Sequence, residues 1–310
     1  MAAASPAGLR LAKAKAMPDA WAMLNGMMVD GHEFTYEGRP YLKGIIRDHY
    51  HRRAIRKSAQ MGATVISLTT AMFWWIEWNW NVMYLLPVKA GTIPFSQGRI
   101  QPMLDAMPRV KARMRAVDNI NHKRTDLANF YVRGTNVITE LQEVPIDAMI
   151  LDERDKMKEK NLPMADTRMN ASKWKWVMAL STPTIPNFGV DREFQNSDQR
   201  YWYMRCPKCS HAQTLDWEEN VKIGNSHRDT IMECQKCKQP WPHDKIIEAS
   251  EATGFWEAHE PGLADECHGY QINQLFSPTR PIHELAKIYF RGLEDPEAMR
   301  ELYNSALGVP

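Results

Sequence analysis

The stretch Arg56-Lys57-Ser58-Ala59-Gln60-Met61-Gly62-Ala63-Thr64 decides how this chain is read. It stands between a short strand-like segment, Ala54 to Lys57, and a long apolar helical run, which is where a phosphate-binding loop belongs. The standard form of such a loop is G-x-x-x-x-G-K-[ST]. Backbone N–H groups and a helix N-terminus cradle phosphates, a lysine reaches the terminal phosphates and a hydroxyl holds magnesium. Here Gly62 and Thr64 keep their places, Ala63 replaces the usual lysine, and Lys57 stands where the first glycine would be. A lysine at the front of the loop can still bend over the β- and γ-phosphates, because its stem is long and flexible and its ammonium acts as a point charge. Lys57, Ser58, Ala59, Gln60, Met61, Gly62, Ala63 and Thr64 are therefore the candidate ATP-binding residues, with the Thr64 hydroxyl as a magnesium ligand. Taken alone, the stretch also fits an ordinary strand-turn-helix junction.

A second stretch, Met149-Ile150-Leu151-Asp152-Glu153, is an apolar strand that ends in two consecutive carboxylates. This is the form of a Walker B element. Asp152, at the strand tip, would hold Mg²⁺ mainly through its water shell, and Glu153 would orient and deprotonate the water that attacks the γ-phosphate. The competing account is a strand exit capped by surface acids. A third strand, within Val177-Met178-Ala179-Leu180-Ser181-Thr182-Pro183-Thr184, ends in hydroxyls before a proline. Ligands of open α/β sheets bind beyond the carboxyl ends of the strands. Ser181 and Thr182 are thus candidates for sensing the γ-phosphate and relaying its loss. Three strand ends with this chemistry, in this order, favour a nucleotide site over the separate alternatives, with Lys57 and Glu153 converging on one magnesium-bound triphosphate.

Around these motifs the chain reads as a folded α/β protein. Its 44% hydrophobic and 25% charged residues over 310 positions suffice for a sizeable core. Short apolar segments at Ala54–Lys57, Val82–Leu86, Tyr131–Val132 with Val137–Thr139, Ala148–Leu151 and Val177–Leu180 alternate with helices and polar loops. Upstream, Leu9 to Asn25 has helical character. Downstream, Gly254–Trp256 and Gly269–Leu275 resemble returning strands, and Pro281–Gly292 and Pro296–Leu307 have helical spacing. The formal net charge of +2 excludes a global positive field, so attraction to nucleic acid must come from local clusters. Two exist, Lys43 to Lys57 and Arg109 to Arg124, each with a single acid; a solvated helix face explains them equally well. The small-residue stretch Ala2 to Leu11 lacks the apolar core that a secretory signal requires. The most apolar run, Ala71 to Trp80, is far shorter than the ~20 residues of a membrane span, so a cytoplasmic protein is expected. Phe73, Trp74, Trp75, Trp78 and Trp80 are expected in the core or against a neighbouring subunit, not stacked on bases.

Four of the five cysteines form two C-x-x-C pairs, Cys206 with Cys209 and Cys234 with Cys237. This spacing points to structural Zn²⁺ bound by four thiolates in a turn-rich insert that depends on metal for folding. A redox dithiol is the competing reading. Cys267 is left over as a buried thiol. Lys208, Lys236 and Lys238 lie on the knuckles, where they either meet DNA phosphates or solubilise the module.

These residues resemble a known family, the lambda-type phage terminase large subunits, whose ATPase region carries a phosphate loop with its lysine moved forward. The resemblance is carried by Lys57 to Thr64, by Asp152 to Asp155, by Ser181 to Thr184, and by Ser197-Asp198-Gln199-Arg200 leading to Cys206-Pro207-Lys208-Cys209. It continues in Gly269-Tyr270-Gln271-Ile272-Asn273 and in Asn304 with Leu307-Gly308. It spans about Pro40 to the last residue. It implies an α/β P-loop NTPase of the ASCE type, a RecA-like sheet with flanking helices and a small four-cysteine, zinc-ribbon-like insert. The implied divisions are an N-terminal helical arm over 1–39, the ATPase core over 40–200, the zinc insert over 201–245, and completion of the ATPase domain over 246–310.

The resemblance further implies a motor that uses ATP and Mg²⁺ to translocate double-stranded DNA into the procapsid. It would act in the host cytoplasm as a homo-oligomeric ring, with the portal protein and a small terminase subunit as partners. Tyr41 is then a candidate adenine contact, with a core aromatic as its alternative, and Arg99, Arg124 and Arg133 are candidates for an arginine acting in trans. Two departures stand out. The strand before the loop, His51 to Arg56, is unusually basic, and the residues after Leu275 are too few for the nuclease domain that follows in the family, so DNA cutting is not expected of this chain. Two other functions compete. A helicase-like remodelling ATPase would share the motifs but normally needs a second lobe. A non-catalytic zinc-containing DNA-binding module would tolerate the loss of lysine at Ala63.

Overall fold

The computed structural model describes residues 6–142 and 144–310. The first five residues of the arm expected over 1–39 lie outside the described residues, as do the side chains of Arg115 and Asp118 in the second basic cluster. The principal strands are β1 (Arg52–Lys57), β2 (Val82–Leu86), β3 (Met114–Asn119), β4 (His122–Thr125), β5 (Asn129–Gly134), β6 (Ala148–Asp152), β7 (Trp176–Ser181), β8 (Arg200–Arg205), β9 (Ala212–Gln213), β10 (Phe255–Ala258) and β11 (His268–Ile272). The helices that matter below are α1 (Ala63–Ile76), α2 (Gly189–Gln195), α3 (His243–Thr253) and α4 (Ile282–Gly292). The chain divides into two compact units. One comprises the chain up to Thr35, Ile46–Arg52 and Thr64–Ala179; the other comprises Tyr36–Ile45, Arg53–Ala63 and Leu180–Pro310.

In the first unit the strands run in the order β7-β6-β2-β5-β4-β3. β2 is parallel to both β5 and β6, whereas β4 is antiparallel to β5 and β3 to β4. Every residue of β2 and β6 is buried, as parallel strands covered on both faces require, and this explains their continuous apolar sequences. Because side chains alternate, Met83, Leu85, Met149, Leu151, Val177 and Ala179 pack in one core with Leu162, Ala165 and Met169. The opposite face meets α1, where Trp75 packs on Phe130 with ring centroids 5.4 Å apart. The hydroxyls of α1 do not obstruct its burial, since Thr69 and Thr70 donate back to the carbonyls of Val65 and Ile66. Phe73, Trp74, Trp75 and Trp80 are buried and Trp78 is half-buried, in keeping with a core role.

The second unit holds a shorter mixed arrangement, β9-β8-β11-β1, with β8 and β1 both parallel to β11 and with β9 and β10 antiparallel to β8. The basic character of β1 has a physical explanation here. Arg53 donates to the Ile45 carbonyl at 3.2 Å, and Arg56 reaches Asp191 of α2 at 2.5 Å while its guanidinium lies 4.1 Å from the centre of the Phe194 ring. Both buried arginines of the strand therefore have an acceptor, which is the condition for burying them.

Local structure departs from the sequence expectation at two places. The helix expected from Leu9 to Asn25 is two helices, Pro6–Ala16 and Pro18–Asn25, because Pro18 forces Met17 into an extended conformation. The strand expected at Val137–Thr139 is instead a 3₁₀ turn, Ile138–Leu141. Its would-be partner has run out, since Leu86 pairs with Gly134 as the last rung between β2 and β5. Among the described residues no helix is long and apolar enough to cross a membrane.

Candidate functional site

In the second unit the loop after β1 is held by residues remote in sequence. The Ser58 N–H donates to the Ile272 carbonyl and the Ala59 N–H to the Ser305 carbonyl, each at 2.8 Å. The Gln274 amide donates to the Ala59 carbonyl at 2.9 Å, and Gln271 donates to the Leu307 carbonyl at 2.8 Å. Gly308, with φ +65°, lies so close to the backbone of Lys57 and Ser58 that a Cβ there would sit 2.9 Å from the Ser58 nitrogen. Gln60 and Gly62 both adopt positive φ, 60° and 86°, which curls the loop, and a Cβ on Gly62 would collide with Leu42 at 2.7 Å. Lys57 and Ser58 are buried, and the Ser58 hydroxyl has no hydrogen-bond partner among the described residues. Tyr41 is fully buried and donates to the Met61 carbonyl at 3.4 Å; burial raises its phenol well above the usual range. Tyr41 thus meets the loop from beneath.

In the first unit Thr64 opens α1 and Asp152 ends β6. Tyr84 pairs with Ile150 across β2 and β6, so its side chain shares a face with Asp152 one pleat further on. Its hydroxyl donates to Asp152 Oδ2 at 2.7 Å and lies 2.9 Å from the Ser67 hydroxyl. Ser67 in turn lies 2.9 Å from the Thr64 carbonyl, within donating distance. Burial, followed by the negative charge of Asp152, pushes the Tyr84 phenol well above its ordinary range, so it remains a donor. Glu153 follows in the left-handed conformation, φ 61° and ψ 46°, which turns the chain sharply at the strand end. Its side chain is 31% exposed and ion-pairs with Lys156 at 2.8 Å, whereas Asp152 is almost wholly buried. Adjacent carboxylates are thereby given different surroundings. A cavity of about 330 Å³ beside Thr64 is lined by Met28, Val29, Leu68, Met103 and Arg99, and Arg99 pairs with Asp30 at 3.1 Å.

The third motif lies at the end of β7. Ser181 donates to the Thr182 carbonyl at 3.0 Å, and Asn304 donates to the carbonyls of Pro183 and Thr184 at 2.8 and 2.7 Å. Of the arginines considered for action in trans besides Arg99, Arg124 is exposed on β4, and Arg133 is half-buried, donating to the Asn121 carbonyl at 3.1 Å.

The four cysteines of the two C-x-x-C pairs come together, their sulfurs all within 4.8 Å of one another. Cys206 and Cys237 sulfurs are 3.9 Å apart, and those of Cys209 and Cys234 are 3.7 Å apart. A tetrahedral zinc with Zn–S of about 2.3 Å demands sulfur separations of about 3.8 Å, so the geometry suits that ion. Burial pushes the Cys234 thiol up to about 12. Gln213 braces this knuckle by accepting from Cys234 Sγ and from the Gln235 N–H. Lys208 and Lys238 on the knuckles contact Gln239 and Glu233, and Cys267 is buried apart from the cluster.

Several residues escaped the sequence reading. Tyr84 and Ser67 gave only one signal, hydroxyls in otherwise apolar segments, with Ser67 one helical turn after Thr64. Gln274 and Asp191 gave none, because their partners are set by long-range folding.

Comparison with solved structures shows the same fold. The Thermus phage P74-26 large terminase ATPase domain superposes with a TM-score of 0.50 at 12% identity, covering 90% of this chain and 94% of that one. The HK97 bacteriophage large terminase superposes with a TM-score of 0.56 at 9% identity, covering 95% of this chain and 55% of that one. No curated protein sequence matches the chain. The family model for the ATPase domain of phage terminase large subunit gpA matches residues 32–256, well over half of the chain, and the chain belongs to that family.

Proposed function

We propose that this chain is the ATP-hydrolysing motor of a phage terminase, coupling hydrolysis to translocation of double-stranded DNA into a procapsid. The observation that carries the reading is the acid pair at the end of β6: Asp152 is buried and accepts from Tyr84, while Glu153 is turned by its left-handed backbone into a partly exposed position. Such a division suits one carboxylate that holds a metal and one that handles water. The hard oxygen donors of Asp152 and the Thr64 hydroxyl suit Mg²⁺, which when bound would neutralise charge on the phosphates.

Lys57 and the loop Ser58–Gly62 would cradle the phosphates, and Glu153 would take the proton from the attacking water. The apolar cavity beside Thr64 offers room for the base, with Tyr41 supporting the loop from below. Ser181 and Thr182 would report loss of the γ-phosphate, and Asn304 would carry that report into the 301–307 segment. Zinc held by Cys206, Cys209, Cys234 and Cys237 would be structural, since protein fills all four positions. The portal protein, a small terminase subunit and further copies of this chain in a ring are the expected partners.

The test is ATP turnover with and without double-stranded DNA. Glu153→Gln should lower turnover by about 10²–10⁴-fold, the usual contribution of a general base. Lys57→Ala should lower it by about 10²–10³-fold. Unchanged turnover in Glu153→Gln would remove the assignment of the base, and no turnover in the native chain would favour a non-catalytic binding module.

A further inference from the structure

The chain of hydroxyls between α1 and β6 lies entirely within the first unit, and its proton order can be counted. Tyr84 carries one hydroxyl hydrogen, and an ionised Asp152 can only accept, so that hydrogen goes to Asp152 Oδ2 at 2.7 Å. The Tyr84 oxygen is then left to accept, and the Ser67 hydroxyl at 2.9 Å is its donor. Ser67 also has the Thr64 carbonyl at 2.9 Å, so its single hydrogen is shared between the first turn of α1 and the tyrosine. The oxygens of both side chains are enclosed, and Phe95 stacks on the Tyr84 ring with centroids 5.1 Å apart, which fixes where the hydroxyl points.

We propose that Tyr84 is a positioning residue for the metal-holding carboxylate. It sets the rotation of the Asp152 carboxylate, and through Ser67 it ties that rotation to the first turn of α1, where the phosphates of a nucleotide would bear. The inference rests on the proposed ATP and magnesium site. Neither Tyr84 nor Ser67 touches the nucleotide; each acts through Asp152. The physical basis is that a carboxylate held by a charge-assisted hydrogen bond in an enclosed site presents its oxygens in one orientation, so that no ordering is left to be done when the metal arrives.

The test uses Mn²⁺ as the metal probe, with free ion followed by its electron paramagnetic resonance signal in the presence of saturating ADP. Tyr84→Phe keeps the ring and its stacking on Phe95 but removes the donor. It should weaken Mn²⁺ binding to the ADP-bound chain by about 10–100-fold, the usual effect of losing a group that orients a metal ligand. ADP affinity without metal should be unchanged, which a general disturbance of the fold would not spare. Ser67→Ala should weaken Mn²⁺ binding less, in the same direction. Native Mn²⁺ affinity in Tyr84→Phe overturns the proposal. Should that variant fail to fold, native affinity in Ser67→Ala overturns it. A native chain that binds Mn²⁺ no better than ADP alone removes the ATP reading and this inference together, whereas an unaffected Tyr84→Phe removes only the inference.

Discussion

The loop Ser58–Gly62 and the cysteine insert are both irregular segments of the second unit, yet they are held in opposite ways. The loop Ser58–Gly62 carries its own turn residues but depends for its hydrogen bonds on Ile272, Gln274 and Ser305, more than two hundred positions away. The insert has its cysteines drawn together at one point: Cys206 meets Cys237, Cys209 meets Cys234, and Gln213 braces the second knuckle, while Asn273 and Tyr303 hold its Leu215 carbonyl and Glu218 from outside. A metal centre concentrates its stabilisation at one point, whereas a backbone cradle spreads it over many weaker bonds. The insert should therefore fail all at once and the loop by degrees.

The largest expected effect is on the insert. Strong chelators, or Cys206→Ser with Cys234→Ser, should remove one equivalent of bound metal and unfold the insert, since structural zinc supplies about 10–16 kcal/mol of apparent binding free energy in small zinc modules. Metal analysis and thermal melting with and without chelator measure this. Because proton and metal compete for the same sulfurs, and because the Cys234 thiol is raised to about 12, metal retention should fall as pH falls. An insert that melts identically in chelator would break the contrast.

Next comes the strand that leads into the loop. Asp191→Ala leaves Arg56 buried without its acceptor and should cost about 3–5 kcal/mol, read as a lower denaturation midpoint. The smallest effect should follow Gln274→Ala, which removes one donor from the Ala59 carbonyl. A loss of about 1–3 kcal/mol is expected, with a raised KM for ATP and a fold otherwise intact. If Gln274→Ala were as damaging as the loss of metal, the loop would hang on a single contact and the distinction from the insert would vanish.

The same contrast explains what could be read in the sequence. The cysteine cluster was legible because two C-x-x-C pairs are the spacing of a four-thiolate metal site, and Cys206, Cys209, Cys234 and Cys237 converge as that spacing implies. The core strands β2 and β6 were legible because burial on both faces leaves them uniformly apolar. The α/β class followed from such strands alternating with helices. The supports of the site were not legible. Nothing local marks Gln274 as the partner of Ala59 or Asp191 as the partner of Arg56, because those pairings exist only once distant segments meet. Strand ends were also hard to place, since β5 stops where β2 offers no further rung, a fact held in the partner strand.

The backbone of Glu153 carries one more consequence. A side-chain-bearing residue with φ 61° sits in a region that costs roughly 1–2 kcal/mol relative to the right-handed one, and glycine alone escapes the penalty. A chain shaped only by the need to stay folded would therefore drift toward glycine at 153. Keeping glutamate there trades some resistance to heat for an acid at the rim, so under the proposed function a redesign guided by stability alone would remove the general base.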